Sequence, residues 1–246
     1  MTNNEEAIWN AAINGDWETV KQWLEREPSL IGVRGNVTFD GDDGHTYRDW
    51  TLLHVAVANG SSEGVLEFLI SSGADVDGCE SNSWRPLFTA IQFHSSVEIL
   101  KYLISQGAEI NVRNCMYETP LHYAITRNSD ADILKCLVSL GADLNIPNEF
   151  GYTPLHYFAD MCSDVELWKY FISHGGDVNA KEQDGWTPFL IIANRNSIEV
   201  LKYLAHHGAD LNARNKKGRT AFDVADSDDK KIFLLECMSS SGDCAP

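Results

Sequence analysis

The sequence predicts an all-α protein built as an array of repeated helical units. Two short phrases recur along the chain at a spacing of 34 residues, with one final step of 33. The first phrase reads Thr-Pro-Leu-His and the second Gly-Ala-Asp. Matches that stay in phase indicate stacked repeats, in which each unit packs only on its neighbours. The repeats begin at Thr51, Arg85, Thr119, Thr153, Thr187 and Thr220.

Each repeat carries the signals of two short helices. Thr119 is a helix N-cap, and Pro120 follows in the first turn, where its missing N–H costs nothing. A second apolar stripe at helical spacing ends at Gly141, because glycine tolerates the left-handed conformation of a helix end. We count about seven such helix pairs. Capping boxes predict that the second helices open at Ser95, Ser129 and Ser163.

The period and the Thr-Pro-Leu-His-x-Ala phrase resemble the ankyrin repeat family over nearly the whole chain. The resemblance implies an ankyrin-repeat solenoid of helix-turn-helix units, with β-turn tips and a concave groove. One domain is predicted over residues 5–238, with an N-terminal capping unit at 5–31 and a C-terminal capping unit at 220–238. Residues 239–246 are predicted to be a disordered tail.

An inserted loop at residues 32–49 interrupts the period after the first unit. A long loop inside a compact array is either functional or disordered. Asp40, Asp42 and Asp43 near Gly44 resemble a calcium-binding loop only faintly, because the spaced ligands and the terminal Glu are absent. The loop is therefore a candidate acidic contact element rather than a metal site.

The charge balance favours a protein partner with a basic surface. The chain has 19 Lys and Arg against 36 Asp and Glu, a formal net charge of −17. This charge disfavours nucleic acid and anionic membrane surfaces, which need basic faces. The longest strongly apolar run, at residues 189–193, is far too short to span a membrane, and the polar start predicts no secretory signal. We expect a monomer in the cytoplasm, with the nucleus or a host cytosol as alternatives.

No catalytic, metal or cofactor site is predicted. The six cysteines fall in different repeats without a Cys-x-x-Cys pair, which indicates free thiols in a reducing compartment and no zinc site. His54, His122 and His156 recur in one column, and the family resemblance implies that they bond neighbouring turns. No nucleophile triad or phosphate-binding glycine loop stands out, so we predict that the protein is not an enzyme.

The resemblance also selects candidate partner-binding residues. In the family, the residue before each Thr-Pro faces the groove, and the end of the first helix and the tip add further contacts. Trp and Tyr dominate binding hot spots, which favours an aromatic anchor row here. The predicted set is Trp50, Trp84, Phe93, Met116, Glu118, Arg127, Phe150, Tyr152, Met161, Trp186 and Arg195.

One covalent modification is a further hypothesis. Segments ending in Glu-Ile-Asn, Asp-Leu-Asn and Asp-Val-Asn resemble ankyrin segments that are substrates of an asparaginyl hydroxylase. The candidate residues are Asn111, Asn145, Asn179 and Asn212. The alternative is that these asparagines bond only the turns.

Three functions remain open from the sequence. The first is a non-catalytic module or adaptor that binds a protein through the groove. The second is an inhibitor, or an antitoxin-like neutraliser, of a specific enzyme, with the acidic 32–49 loop entering a basic site. The third is a host-directed effector or adaptor that recruits a larger complex.

Overall fold

The computed structural model describes residues 1–38, 46–80, 83–195 and 197–239. Within these ranges, seven helix pairs follow one another along the chain, which confirms the predicted number. Contacts between residues divide the chain into two compact units: unit 1 comprises residues 1–115 and unit 2 comprises residues 116–246.

Unit 1 contains three helix pairs and a β-hairpin. Its elements are α1 (Asn3–Ile13), α2 (Trp17–Arg26), a 3-10 turn (Pro28–Gly32), β1 (Arg34–Thr38), β2 (Thr46–Thr51), α3 (Leu52–Ala58), α4 (Glu63–Ser71), α5 (Pro86–Gln92) and α6 (Val97–Ser105). The first helices α1, α3 and α5 pack side by side, and each second helix lies against its own partner. Stacking is necessary because one short helix pair cannot bury its apolar face alone.

The hairpin is an addition to the all-α prediction, and its strands occupy half of the segment predicted as an inserted loop. β1 and β2 are antiparallel, with a bulge at Asp49, whose φ is 61°. Val37 pairs with Tyr47, and both side chains are buried. Gly35 lies so close to the Trp9 ring that a Cβ there would collide with it. The buried side chains of Val37 and Tyr47, together with the close approach of Gly35 to Trp9, therefore anchor the two strands on the helices of unit 1.

Some predictions fall on residues outside the described ranges. The acidic centre of the inserted loop, with Asp40, Asp42 and Asp43, lies within residues 39–45 and is outside them. Ser239 is the last residue of the final helix, and residues 240–246 of the predicted tail also lie outside.

Unit 2 contains four helix pairs. They are α7 (Pro120–Thr126), α8 (Ala131–Ser139), α9 (Pro154–Met161), α10 (Val165–Ser173), α11 (Pro188–Arg195), α12 (Ile198–His206), α13 (Ala221–Val224) and α14 (Asp228–Ser239). The first helices pack in the order α7, α9, α11 and α13, and the second helices in the order α8, α10, α12 and α14. Thr119 caps α7 as predicted, because its hydroxyl accepts the N–H of His122.

The predicted caps of three second helices are wrong by one residue. The structure places the N-cap residues at Ser96, Asp130 and Asp164. In two of the preceding turns, His94 and Asn128 adopt left-handed conformations with φ of 51° and 53°. These residues end the first helix, so the second helix begins later than the capping-box pattern indicates.

Candidate protein-binding site

Three buried histidines hold the turns that carry the predicted aromatic row. In each case Nδ1 lies 2.8–2.9 Å from the hydroxyl of the preceding threonine, and Nε2 lies 3.0–3.2 Å from a carbonyl of the next repeat. The carbonyls belong to Trp84 for His54, Tyr152 for His122 and Trp186 for His156. Burial lowers the pKa of His156 and lowers that of His54 to about 4. These contacts confirm the predicted structural role.

The tips of three consecutive repeats in unit 2 form a connected row. In each tip one side-chain oxygen accepts two backbone N–H groups: Asn148 from Phe150 and Tyr152, Glu182 from Asp184 and Trp186, and Asn215 from Lys217 and Arg219. The N–H of Gln183 donates to the carbonyl of Phe150 at 3.1 Å. The N–H of Lys216 donates to the carbonyl of Asp184 at 2.8 Å. These bonds hold the tip side chains on an ordered backbone.

A recess of about 350 Å³ is formed by residues of the first two of these tips and of the adjoining first helices. Four of the predicted partner-binding residues line it: Phe150, Tyr152, Trp186 and Arg195. Five other lining residues were not in the predicted set: His156, Tyr157, Asp160, Ile191 and Asn194. Tyr157 occupies the variable position of the Leu-His-x-Ala phrase, so the repeat pattern gave no reason to select it.

Tyr157 also explains why one predicted contact residue is buried. Its hydroxyl donates to a carboxylate oxygen of Glu118 at 3.0 Å and accepts from the amide of Asn148 at 3.0 Å. Burial, together with the nearby Glu118, raises the pKa of Tyr157 to about 12. Glu118 is only 8% exposed, so its prediction as a partner contact is wrong. Its carboxylate instead links adjacent repeats.

Carboxylates dominate the charge around Tyr152. Burial raises the pKa of this phenol, and Glu182, Asp184 and Asp160 raise it further, whereas Arg195 opposes them. The guanidinium of Arg195 lies 3.0 Å from Asp160, but both side chains are largely exposed, so this pair adds at most about 1 kcal/mol to stability. Three carboxylates and one guanidinium therefore lie close enough to act on the Tyr152 hydroxyl.

A cation lies beside the other large ring of the recess. The guanidinium carbon of Arg219 is 5.5 Å from the centroid of the Trp186 ring. This distance is within the range of a cation–π interaction. The recess therefore has carboxylates near Tyr152 and a guanidinium near Trp186.

The predicted anchor residues of unit 1 are mostly covered by the chain itself. Trp50 is fully buried, so its prediction as a groove contact is wrong. The ring of Tyr47, from the hairpin, lies 4.6 Å from that of Trp50 and 5.7 Å from that of Phe93. Phe93 is therefore half-buried rather than open, and Trp84 is half-buried against Phe88 at 5.1 Å. The hairpin therefore covers Trp50 and part of Phe93, two residues that the sequence predicted as partner contacts.

Besides Glu118, three predicted contacts in unit 2 do not line the recess. Met116 and Met161 are 49% and 47% exposed, and Arg127 is exposed beside the ring of Tyr123. Their binding role remains a prediction.

The asparagines proposed for hydroxylation lie next to the turns. The amide of Asn145 donates to the carbonyl of Gly175, and its side-chain oxygen accepts the N–H of Asp177, both at 2.8 Å. Asn179 makes the same pair of bonds to the following repeat. Asn111 is half-buried and Asn212 is exposed. The bonds support a structural role, and hydroxylation remains a prediction.

The described ranges lack the features of a metal site and of a membrane span. They contain no group of three or more His, Cys, Asp or Glu side chains suited to a metal ion. Five cysteines there are free thiols, and Cys244 lies outside. None of the helices found in those ranges combines the length and apolar character that crossing a bilayer requires.

Comparison with known proteins agrees with this architecture. A sequence model of ankyrin repeats in three copies matches residues 8–114, 111–181 and 158–236. The crystal structure of the ankyrin repeat domain of Bcl-3, a member of the IkappaB protein family, is similar, with a TM-score of 0.72 and 21% identity. The match covers 94% of this chain and 97% of that chain. No curated protein sequence gives a significant match. The chain belongs to the ankyrin repeat family.

Proposed function

We propose that the protein is a non-catalytic interaction module that holds a segment of a protein partner in the recess of unit 2. The observation that carries this proposal is the convergence of Phe150, Tyr152, Tyr157 and Trp186 on one recess. Tyr and Trp supply large contact areas with few rotatable bonds, which is why they dominate binding hot spots. Ankyrin repeats generally serve as modules of this kind.

The backbone supporting these rings lowers the entropic cost of binding. His122 and His156 bond the carbonyls of Tyr152 and Trp186, and the tip side chains bond the N–H groups of the same two residues. A partner would therefore not have to order this part of the backbone. Preorganisation of this kind raises affinity without additional contacts.

We further propose that a basic side chain of the partner enters beside Tyr152. Asp160, Glu182 and Asp184 outnumber Arg195 around Tyr152, and the whole chain carries a net charge of −17. A cation there would be attracted both by the carboxylates and by the faces of the aromatic rings. The protein is expected to act as a monomer, which light scattering can check.

The burial of the hairpin strands is relevant to the alternative function, in which the protein inhibits an enzyme through its acidic loop. Val37 and Tyr47 point into unit 1 and are buried, so the paired strands have a structural role there. The acidic residues that would enter a basic site lie outside the described ranges. The inhibitor and the effector alternatives remain predictions, and the recess favours the interaction module.

A photo-crosslinking experiment tests the proposal. A benzophenone amino acid at position 150 should capture a discrete protein from source lysate, and Trp186→Ala should abolish the capture. The matched control is Ile232→Ser, because Ile232 is 54% exposed and Phe150 is 48% exposed, but Ile232 does not line the recess. Circular dichroism must show that each variant is folded. Capture that survives Trp186→Ala, or is lost with Ile232→Ser, would refute recognition through the recess.

A further inference from the structure

The tip of the last repeat is strongly basic although the chain as a whole is acidic. Four of the 19 Lys and Arg residues lie within six positions: Arg214, Lys216, Lys217 and Arg219. No acidic residue occurs between Asp210 and Asp223. All four basic residues are exposed. We call them the basic tip.

The basic tip directly adjoins the recess. The backbone N–H of Lys216 bonds the neighbouring tip at Asp184, and Arg219 covers part of the Trp186 ring at 5.5 Å. Within the tip, Asn215 accepts two backbone N–H groups, and the guanidinium of Arg214 donates to the carbonyl of Gly218 at 2.7 Å. The four charged side chains therefore belong to a turn whose backbone is held by hydrogen bonds.

Nearby carboxylates make no direct ion pair with this charge in the described part of the chain. None of the ion pairs found among the described residues includes a member of the basic tip. The next carboxylate along the chain, Asp223, accepts hydrogen bonds from the N–H and hydroxyl of Thr220 at 2.8 Å. Those bonds lower the pKa of Asp223, and Arg214 and Arg219 lower it further, as expected beside a positive patch.

The other two tips of the row have the opposite sign. Glu149 and Asp184 are exposed, and Glu182 lies buried beneath the second tip, where the exposed Lys181 reduces the net charge to −1. The hydrogen-bonded row of three tips therefore changes from negative to positive along its length. The aromatic recess borders the row and has Asp160 among its lining residues.

We infer that this site binds an extended protein segment with a fixed order of charge: a basic or apolar anchor in the recess, followed by acidic side chains on the basic tip. The inference rests on the proposed function and adds to it the charge order of the partner. Opposite charges that match along a row specify both the partner and its register. An acidic protein chain fits better than a nucleic acid, because Glu149, Asp160 and Asp184 would repel phosphates that extend past the basic tip.

Selection from a random peptide library tests the charge order without knowledge of the natural partner. Wild type should enrich peptides that carry an aromatic, aliphatic or basic anchor with Asp or Glu on one side of it. The double variant Lys216→Glu/Lys217→Glu should lose the acidic preference and weaken the best wild-type peptide by at least about tenfold. Binding of that peptide should also weaken as salt is added.

A matched control separates local charge from net charge. Lys169→Glu/Lys202→Glu changes the net charge equally, but these residues lie on α10 and α12 rather than in the tips. This control should keep the acidic preference. If it loses the preference as fully as the tip variant does, the effect is one of net charge and the inference is overturned.

The remaining outcomes distinguish the inference from the proposed function. Peptides that require Trp186 but show no acidic preference would overturn the charge order and leave the recess as the binding site. Failure to select any peptide that depends on Trp186 would overturn both. A single-stranded oligonucleotide that binds wild type, loses affinity with the tip variant and displaces the selected peptides would overturn the inference in favour of nucleic acid.

Discussion

Protonation of His54 should destabilise unit 1 as the pH falls below 6.5. The imidazole is fully buried, with Nε2 at 3.2 Å from the carbonyl of Trp84 and Nδ1 at 3.3 Å from the backbone N of Thr51. Because a carbonyl can only accept, Nε2 carries the proton of the neutral ring and Nδ1 accepts the N–H of Thr51. A second proton on Nδ1 would leave the Thr51 N–H without its acceptor, and the Thr51 hydroxyl, 2.8 Å from Nδ1, would have to change from donor to acceptor.

The size of the pKa shift determines how much the free energy of unfolding decreases. Burial is the main cause that lowers the pKa of His54 from 6.5 to about 4. The unfolded chain therefore takes up this proton first, so the free energy of unfolding decreases as the pH falls from 6.5 towards 4. One pKa unit corresponds to about 1.4 kcal/mol, and the whole loss from His54 is about 3 kcal/mol. The lowered pKa of His156 acts in the same direction in unit 2.

Urea unfolding between pH 7 and pH 5 measures the first part of this loss, about 2 kcal/mol, in a range above the titration of the carboxylates with lowered pKa values. The slope should reach about 1.2 kcal/mol per pH unit for His54 near pH 5, where the two pKa values bracket the pH. It should become smaller by that amount in His54→Gln, whose side chain does not titrate. NMR of the imidazole nitrogens gives the direct check. A His54 ring that titrates near pH 6.5 in the folded chain, or a slope that is the same in the variant, would refute the reasoning.

Three further predictions concern unit 2, and urea unfolding measures each of them. Lys230→Met should cost about 3 kcal/mol, because the buried ammonium donates to two carbonyls at the end of α11 and to Asp226 at 2.7 Å; an unchanged midpoint would contradict this. Tyr157→Phe should cost about 1–3 kcal/mol, because Glu118 loses a hydrogen-bond donor while buried; an unchanged free energy of unfolding would contradict this. Tyr117→Gly should stabilise the protein by up to about 1 kcal/mol, since Tyr117 has a φ of 59° that glycine adopts without strain; a loss of stability would show that its side chain packs in the fold.

The repeat pattern predicted the fold because its signals are local. Thr119 caps a helix, and glycines end helices, through contacts within a few residues. Ser83 and Tyr117 stand where the repeat expects a tip glycine, yet both adopt the same left-handed conformation, with φ of 59°. The tips therefore keep their shape because the surrounding bonds outweigh local backbone preference.

The binding residues were harder to predict because exposure depends on residues distant in sequence. Trp50 and Trp186 occupy the same repeat position, but Tyr47 covers Trp50, whereas Trp186 borders an open recess. Glu118 occupies that position too and is buried by its bond to Tyr157. Each of these outcomes depends on a side chain from another turn or repeat.

The sequence by itself determined the repeat period, the helix pairs, the structural histidine column and the excess negative charge. The basic run at residues 214–219 was also visible in it, although its significance depends on the neighbouring tip. Only the tertiary structure decided that the inserted segment contributes two paired strands, that its Tyr47 packs on Trp50 and Phe93, and that four rings meet in unit 2. The physical reason is that helix caps and periodicity are short-range properties, whereas burial and the field at a site arise from side chains that only folding brings together.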